Sequence, residues 1–158
     1  MKIFPEENLI IKLSTDKYNA ISELKKNTLH KDQYVGNWNG QQFIGVISES
    51  EFQIKLSKRI YGGFCLFQGH LENVHGSLII KLSKIVKLLF YIIIAFIISG
   101  LIVAIVQKNN AIIIQSILSP ILFWIFIQIG FKIISKKGIR KLKETIPLNI
   151  ISQKNEGL

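Results

Sequence analysis

Two uncharged, apolar runs decide the fold of this chain: LLFYIIIAFIISGLIVAIV at residues 88–106 and AIIIQSILSPILFWIFIQIGF at residues 111–131. An α-helix rises about 1.5 Å per residue, so each run is long enough to cross the roughly 30 Å hydrocarbon core of a bilayer. A helix buried in a soluble protein keeps a polar face, and neither run has one. The sequence therefore predicts two transmembrane helices.

The short connection between the runs predicts their arrangement. Only residues 107–110 separate them, so the helices should form an antiparallel hairpin with both chain ends on one side of the membrane. Cytoplasmic segments are enriched in lysine and arginine. Nine basic residues flank the hairpin and only Lys108 lies in its turn. We therefore expect a multi-pass membrane protein with cytoplasmic termini, and the dominance of Ile, Lys and Asn in the composition indicates a bacterial inner membrane. The nine residues are Lys81, Lys84, Lys87, Lys132, Lys136, Lys137, Arg140, Lys141 and Lys143.

Composition excludes several classes of protein. The 158 residues carry a formal net charge of +10, and 49% of them are hydrophobic, which excludes disorder of the whole chain. The single cysteine, Cys65, excludes an intramolecular disulfide and a cysteine-based zinc site. It should point to the opposite face of its strand from His70, five residues away. The other histidines, His30 and His75, have no acidic cluster nearby. We predict no catalytic residue, no metal site and no cofactor.

The distribution of charge favours lipid over nucleic acid as a partner. Residues 1–87 carry twelve basic and eight acidic side chains, whereas residues 132–158 carry seven basic and two acidic ones. Basic side chains beside a membrane helix attract anionic lipid headgroups by about 1 kcal/mol each. The predicted headgroup contacts are Lys84, Lys87, Lys132, Lys136, Lys137, Arg140, Lys141 and Lys143.

The segment after the second run contains apolar residues beside its lysines. Ile133, Ile134, Ile139 and Leu142 are spaced to form one apolar edge. This spacing predicts a helix that lies along the membrane surface and ends before Pro147. The alternative is a straight cytosolic extension of the second membrane helix.

The residues before the hairpin predict a small α+β domain. Apolar alternation indicates a first strand at residues 9–13, a helix at 17–27 and further strands at 42–47, 52–56, 64–71 and 78–82. Closely spaced strands favour an antiparallel meander with the helix on one face. The predicted division is a cytosolic α+β domain at residues 1–84, a transmembrane hairpin at 85–134 and a basic cytosolic tail at 135–158.

Short motifs in this domain resemble a known pattern. They are FIGVI at residues 43–47, FQI at 52–54, Gly69, and GSLI at 76–79. The pattern is similar to that of small uncharacterised bacterial membrane proteins with an N-terminal cytosolic α+β domain and two apolar helices. That family has a proline where this chain has Cys65. The resemblance implies an architecture and no activity.

Small and polar side chains predict where the two membrane helices meet. Ser99 and Ser119 lie at similar depths near the bilayer centre, and Gly100 and Ala104 allow a close approach of backbones. Hence Ser99, Gly100, Val103 and Ala104 are expected to contact Ser116, Ser119 and Pro120. The alternative is that Gly100 faces a partner subunit.

These observations together favour a non-catalytic role. We predict an accessory, assembly or stabilising subunit of a membrane complex, in contact with other subunits or with further copies of itself. The alternative is a self-oligomerising pore or membrane-disrupting effector gated by its soluble domain. An enzyme is the third hypothesis, because the sequence indicates no nucleophile–base pair.

Overall fold

The computed structural model describes residues 3–30, 40–58, 61–108 and 110–153. Within these ranges the chain forms a sheet domain followed by two long helices, in agreement with the predicted α+β domain and helical hairpin. In chain order the elements are β1 (Glu6–Leu13), α1 (Lys17–Lys26), β2 (Thr28–His30), β3 (Phe43–Ile47), β4 (Glu51–Leu56), β5 (Cys65–Glu72), β6 (His75–Leu82), α2 (Lys84–Val106), α3 (Asn110–Thr145) and β7 (Leu148–Gln153).

The described strands form one mixed sheet in the order β2-β3-β4-β5-β6-β1-β7. Strands β3 to β6 are the predicted antiparallel meander. β1 closes onto β6 and β7 onto β1, both antiparallel. β2 adds a parallel pair with β3, so the sheet is not purely antiparallel. Neither edge strand, β2 or β7, is expected from the sequence.

One face of the sheet is buried and holds the core. Side chains alternate between the faces of a strand. In β1, Leu9, Ile11 and Leu13 are buried while Ile10 and Lys12 are exposed. The buried face shares a single hydrophobic core with α1, α3 and the base of α2, which contributes Phe90. Its other members include Ala20, Ile21 and Leu24 of α1, Phe67, Leu78 and Ile80 of the central strands, and Ile134 and Leu142 of α3.

The second long helix does not end at the membrane boundary that its composition predicts. α3 continues from the apolar run to Thr145, and its last four turns pack on the sheet. Gly138 permits this packing, because a Cβ at that position would overlap the ring of Phe67. Most of the apolar edge that we assigned to the membrane surface therefore covers the sheet: Ile134 and Leu142 are buried and Ile139 packs against the core, whereas Ile133 is 50% exposed.

The expected separate tail also differs from the structure. After α3, Leu148 and Ile150 pair with Leu13 and Ile11 of β1. Leu148 is only 5% exposed. The described part of the tail is thus a structural component of the sheet domain, because its apolar residues complete the core.

The two long helices pack side by side along a seam of apolar residues. On α2 the least exposed positions recur at spacings of four and three, which is the spacing of a coiled-coil seam. At the base of the seam, the rings of Phe90 and Phe123 stack with centroids 5.8 Å apart. Both helices are long and apolar enough to cross a membrane, and only 6% of the most apolar window of each is buried. That exposure distinguishes them from core helices of a soluble protein.

Candidate functional site

The face of the sheet opposite α1 and α3 is open and carries both polar and apolar side chains. Gln53 of β4, Gln68 and His70 of β5, and Ser77 of β6 line a cavity of about 320 Å³ there. Strand register places Glu51, His70 and Ser77 in one row across three neighbouring strands. A serine, a histidine and a carboxylate in one row are the residue types of a hydrolytic triad, so their geometry decides whether the row could act as one.

Both ring nitrogens of His70 face carboxylates. Nδ1 lies 3.4 Å from Oε1 of Glu51, and Nε2 lies 3.1 Å from Oε1 of Glu72. A general base would have to direct one nitrogen at the Ser77 hydroxyl. In the described structure the row is therefore a surface network, and its well-exposed pairs contribute little stability.

Cys65 and His70 lie on opposite faces of β5, as the sequence predicts. Cys65 is fully buried. Burial and, to a smaller extent, the Glu7 carboxylate raise the pKa of its thiol to about 12. A thiol that stays protonated is a poor nucleophile. The described residues also include no group of three or more His, Cys, Asp or Glu side chains that could hold a metal ion.

A second cavity, of about 350 Å³, lies between α3 and the β3–β4 side of the sheet. Four cationic side chains line it, and none of its lining residues is acidic. Lys137 stacks on Tyr61, with Nζ 5.0 Å from the ring centroid. We call this site the basic cavity; its lining residues are Gly40, Gln41, Gln42, Leu56, Lys58, Tyr61, Lys137, Arg140 and Lys141.

The predicted headgroup residues of α3 occupy two sides of the helix. At about 100° per residue, Lys132, Lys136 and Lys143 project from one side, which we call the outer flank. Lys137 and Lys141 project from the other side, into the basic cavity. The outer flank is exposed.

The remaining predicted headgroup residues lie elsewhere. Arg140 also lines the basic cavity. Near the start of α2, Lys84 is exposed, whereas Lys87 is half-buried with Nζ 5.3 Å from the centroid of the Phe4 ring. Lipid contact by all eight residues stays a prediction.

The predicted helix–helix contact is only partly present. Ala104 is buried, and Ser116, Ser119 and Pro120 lie on the half-buried side of α3. However, Ser99, Gly100 and Val103 are exposed. A Cβ added at Gly100 would meet nothing within 4 Å.

The reason for this difference is that Ser99 needs no partner on α3. Its hydroxyl donates to the carbonyl of Ala95, one turn earlier in the same helix, at 3.0 Å. Close packing of larger side chains, such as the stack of Phe90 on Phe123, then decides which side of α2 faces α3.

Aromatic residues connect the base of the hairpin to the start of β1. Phe4 contacts Phe90 edge-on, with centroids 5.3 Å apart, and Tyr91 at 5.8 Å. The indole N–H of Trp124 donates to the carbonyl of Ile3 at 3.4 Å. We did not predict this cluster. Its signal in the sequence is Tyr91 near the start of the first apolar run, since tyrosine favours membrane interfaces; Trp124 lies seven residues inside the second run and gives no such signal.

Comparisons of the chain with known protein families, with curated proteins and with solved structures find no match. The resemblance of its motifs to small bacterial two-helix membrane proteins therefore stays a prediction. The described structure combines a sheet domain with two exposed apolar helices that are long enough to cross a membrane.

Proposed function

We propose that this chain is a small, non-catalytic membrane protein that serves as an accessory, assembly or stabilising subunit of a membrane complex. In this proposal it lies in a bacterial inner membrane as a multi-pass protein, with both termini in the cytoplasm. Its partners are other membrane subunits or further copies of itself, together with anionic lipid headgroups.

This proposal rests on the observation that one side of α2 is exposed. Ser99, Gly100 and Val103 are exposed, and the space beside Gly100 is open. In lipid, apolar burial does not drive helix association, so small residues that allow close backbone approach are what helix contacts use. This face therefore supports contact with a membrane helix of another chain.

The continuity of α3 supports a stabilising or assembly role. The same helix that packs against α2 also packs on the sheet through Phe131, Ile134 and Leu142. The Ser135 hydroxyl donates to the Glu7 carboxylate at 2.6 Å and so connects α3 to β1. A partner bound to α2 would hold the sheet domain at a fixed distance from the membrane.

The experiment replaces a small residue on this face and measures association. Tagged full-length protein is extracted in a mild detergent, and chains that co-purify, including second copies, are quantified by mass spectrometry. We expect Gly100→Ile to reduce the recovered amount of the specific partner chain about tenfold, since a bulky side chain prevents the close approach of a second helix. The matched control is Ala95→Ile, a similar enlargement on a different exposed side of α2.

Equal recovery of every chain from both variants would contradict the proposal. Entry of a membrane-impermeant dye into cells that overproduce the wild type, but not into cells that overproduce Gly100→Ile, would favour the pore instead. We expect no entry, because the exposed side chains of both helices are largely Ile, Leu, Val and Phe.

A further inference from the structure

The basic cavity concentrates positive charge beyond what membrane topology requires. Lys58, Lys137, Arg140 and Lys141 surround a space of about 350 Å³, which is within the range of small-molecule sites. The enrichment of lysines near a membrane helix explains cations at the end of α3. It does not explain Lys58, which follows β4 and approaches the same space from the sheet.

The charges are only partly compensated within the chain. Glu144 lies 3.8 Å from Arg140 Nε and 3.5 Å from Lys141 Nζ, so one carboxylate serves two cations. In the described part of the chain, Lys58 and Lys137 have no carboxylate within ion-pair distance. Holding like charges around one space costs energy that a bound anion would offset.

The fold keeps these groups in place. Lys137 lies one residue before Gly138, whose contact with Phe67 positions α3 against the sheet. On the sheet side, Lys58 follows β4, and its carbonyl accepts a hydrogen bond from the Gly62 N–H at 2.8 Å. The backbone at Lys58 and at Lys137 is therefore held by the fold, which lowers the cost of ordering the cavity around a ligand.

We propose that the basic cavity binds a phosphoryl group, carried either by a lipid headgroup or by a soluble molecule. Lysine and arginine side chains on several sides match the oxygens of a phosphate, and arginine can donate to two of them. Lys137 is five residues after Lys132, the first charge beyond the apolar run, or about 7.5 Å along the helix. The headgroup layer of each leaflet is about 5–7.5 Å thick, so the cavity lies at its outer limit, within reach of a lipid phosphate.

The test compares two variants of equal net charge. Lys137→Gln/Lys141→Gln removes two cations from the cavity, and Lys136→Gln/Lys143→Gln removes two from the outer flank of the same helix. Full-length protein in phosphatidylcholine nanodiscs is titrated with inorganic pyrophosphate by calorimetry. Native mass spectrometry in detergent then measures retention of phosphatidic acid against phosphatidylcholine.

We expect the cavity variant to bind its phosphoryl probe about tenfold more weakly than the wild type, and the flank variant to change less than about twofold. Lys58→Gln should also weaken binding, since Lys58 belongs to the cavity but not to α3. Lys137→Arg/Lys141→Arg keeps both charges and should bind like the wild type, which would exclude misfolding as the cause of weaker binding.

The two probes distinguish the two sources of the phosphoryl group. If the cavity variant loses affinity for pyrophosphate alone, the ligand is a soluble molecule. If it loses affinity for phosphatidic acid alone, the ligand is a lipid. Equal losses in the cavity and flank variants, or no binding of either probe by the wild type, would overturn the proposal.

Discussion

Gly138 lies where α3 crosses the sheet, directly over the ring of Phe67. A glycine inside a helix costs about 1 kcal/mol relative to alanine, so a packing reason is needed for it. We expect Gly138→Ala to lower the free energy of unfolding by about 1–3 kcal/mol, because the added methyl group displaces the ring or the helix. Thermal unfolding in detergent, followed by circular dichroism, measures the change.

Gly100 provides the matched control for this substitution. It is also inside a long helix, but nothing lies within 4 Å of the position that its Cβ would occupy. Gly100→Ala should leave the stability unchanged or raise it by up to about 1 kcal/mol. If both alanine variants unfold at the wild-type temperature, Gly138 does not position α3 as we describe.

The buried thiol of Cys65 should make the stability of the protein fall at high pH. Burial raises the pKa of its thiol from 9.0 to about 12. Above about pH 9 the unfolded chain loses this proton while the folded chain keeps it, so the unfolded state binds fewer protons and stability falls as pH rises. The advantage of the wild type over Cys65→Ala should shrink above pH 9, by at most about 1.4 kcal/mol per pH unit. A constant difference between the two proteins across that range would refute the assignment.

Among the elements, those with strict periodicity could be predicted from the sequence. The alternation of Phe52, Ile54 and Leu56 specifies β4 and its buried face, and the same holds for β1 and β6. The two uncharged runs specify α2 and the first half of α3 in the same way. Elements with such local patterns can be predicted without knowing which other elements pack against them.

The elements that the sequence did not predict depend on distant partners. The apolar edge with Ile134 and Leu142 suits a membrane surface or a sheet equally well, and the choice depends on Phe67, some seventy residues earlier. β7 is six residues long and begins one residue after Pro147, so its pattern is short. Likewise, the basic cavity combines α3 with Lys58 and Tyr61, which no spacing along the sequence relates.

β7 should therefore be required for the stability of the sheet domain. Leu148 is 5% exposed and pairs with Leu13 of β1, whereas Ile151 is 55% exposed. We expect Leu148→Ala to cost about 2–5 kcal/mol because it leaves a cavity in the core. Ile151→Ala, three residues later in the same strand, should cost about 0.5 kcal/mol or less. Chemical denaturation of both variants distinguishes them, and equal midpoints would mean that β7 is not part of the core.

In the whole molecule, both ends of the described chain lie side by side in the same sheet. β1 is the first strand and β7 the last, and they pair along five residue positions. If α2 and α3 cross a membrane as a hairpin, the sheet domain and both of these strands must lie on one side of it. The pairing of β1 with β7 thus adds a constraint that the lysine count alone does not provide, while the lysines indicate which side it is.

Cysteine labelling of intact cells tests this topology. The variants carry Cys65→Ala, since an alanine leaves no polar group in the buried site, together with one of Gln107→Cys, Glu49→Cys or Asn149→Cys. All three positions are exposed, so accessibility to a membrane-impermeant maleimide depends on the side of the membrane and not on burial. Because basic residues lie at the sheet end of the hairpin and only Lys108 lies in its turn, we expect labelling at position 107 alone. Labelling at 49 and 149 but not at 107 would reverse the orientation. Labelling at only one of 49 and 149 would mean that β1 and β7 do not pair in the membrane-bound protein.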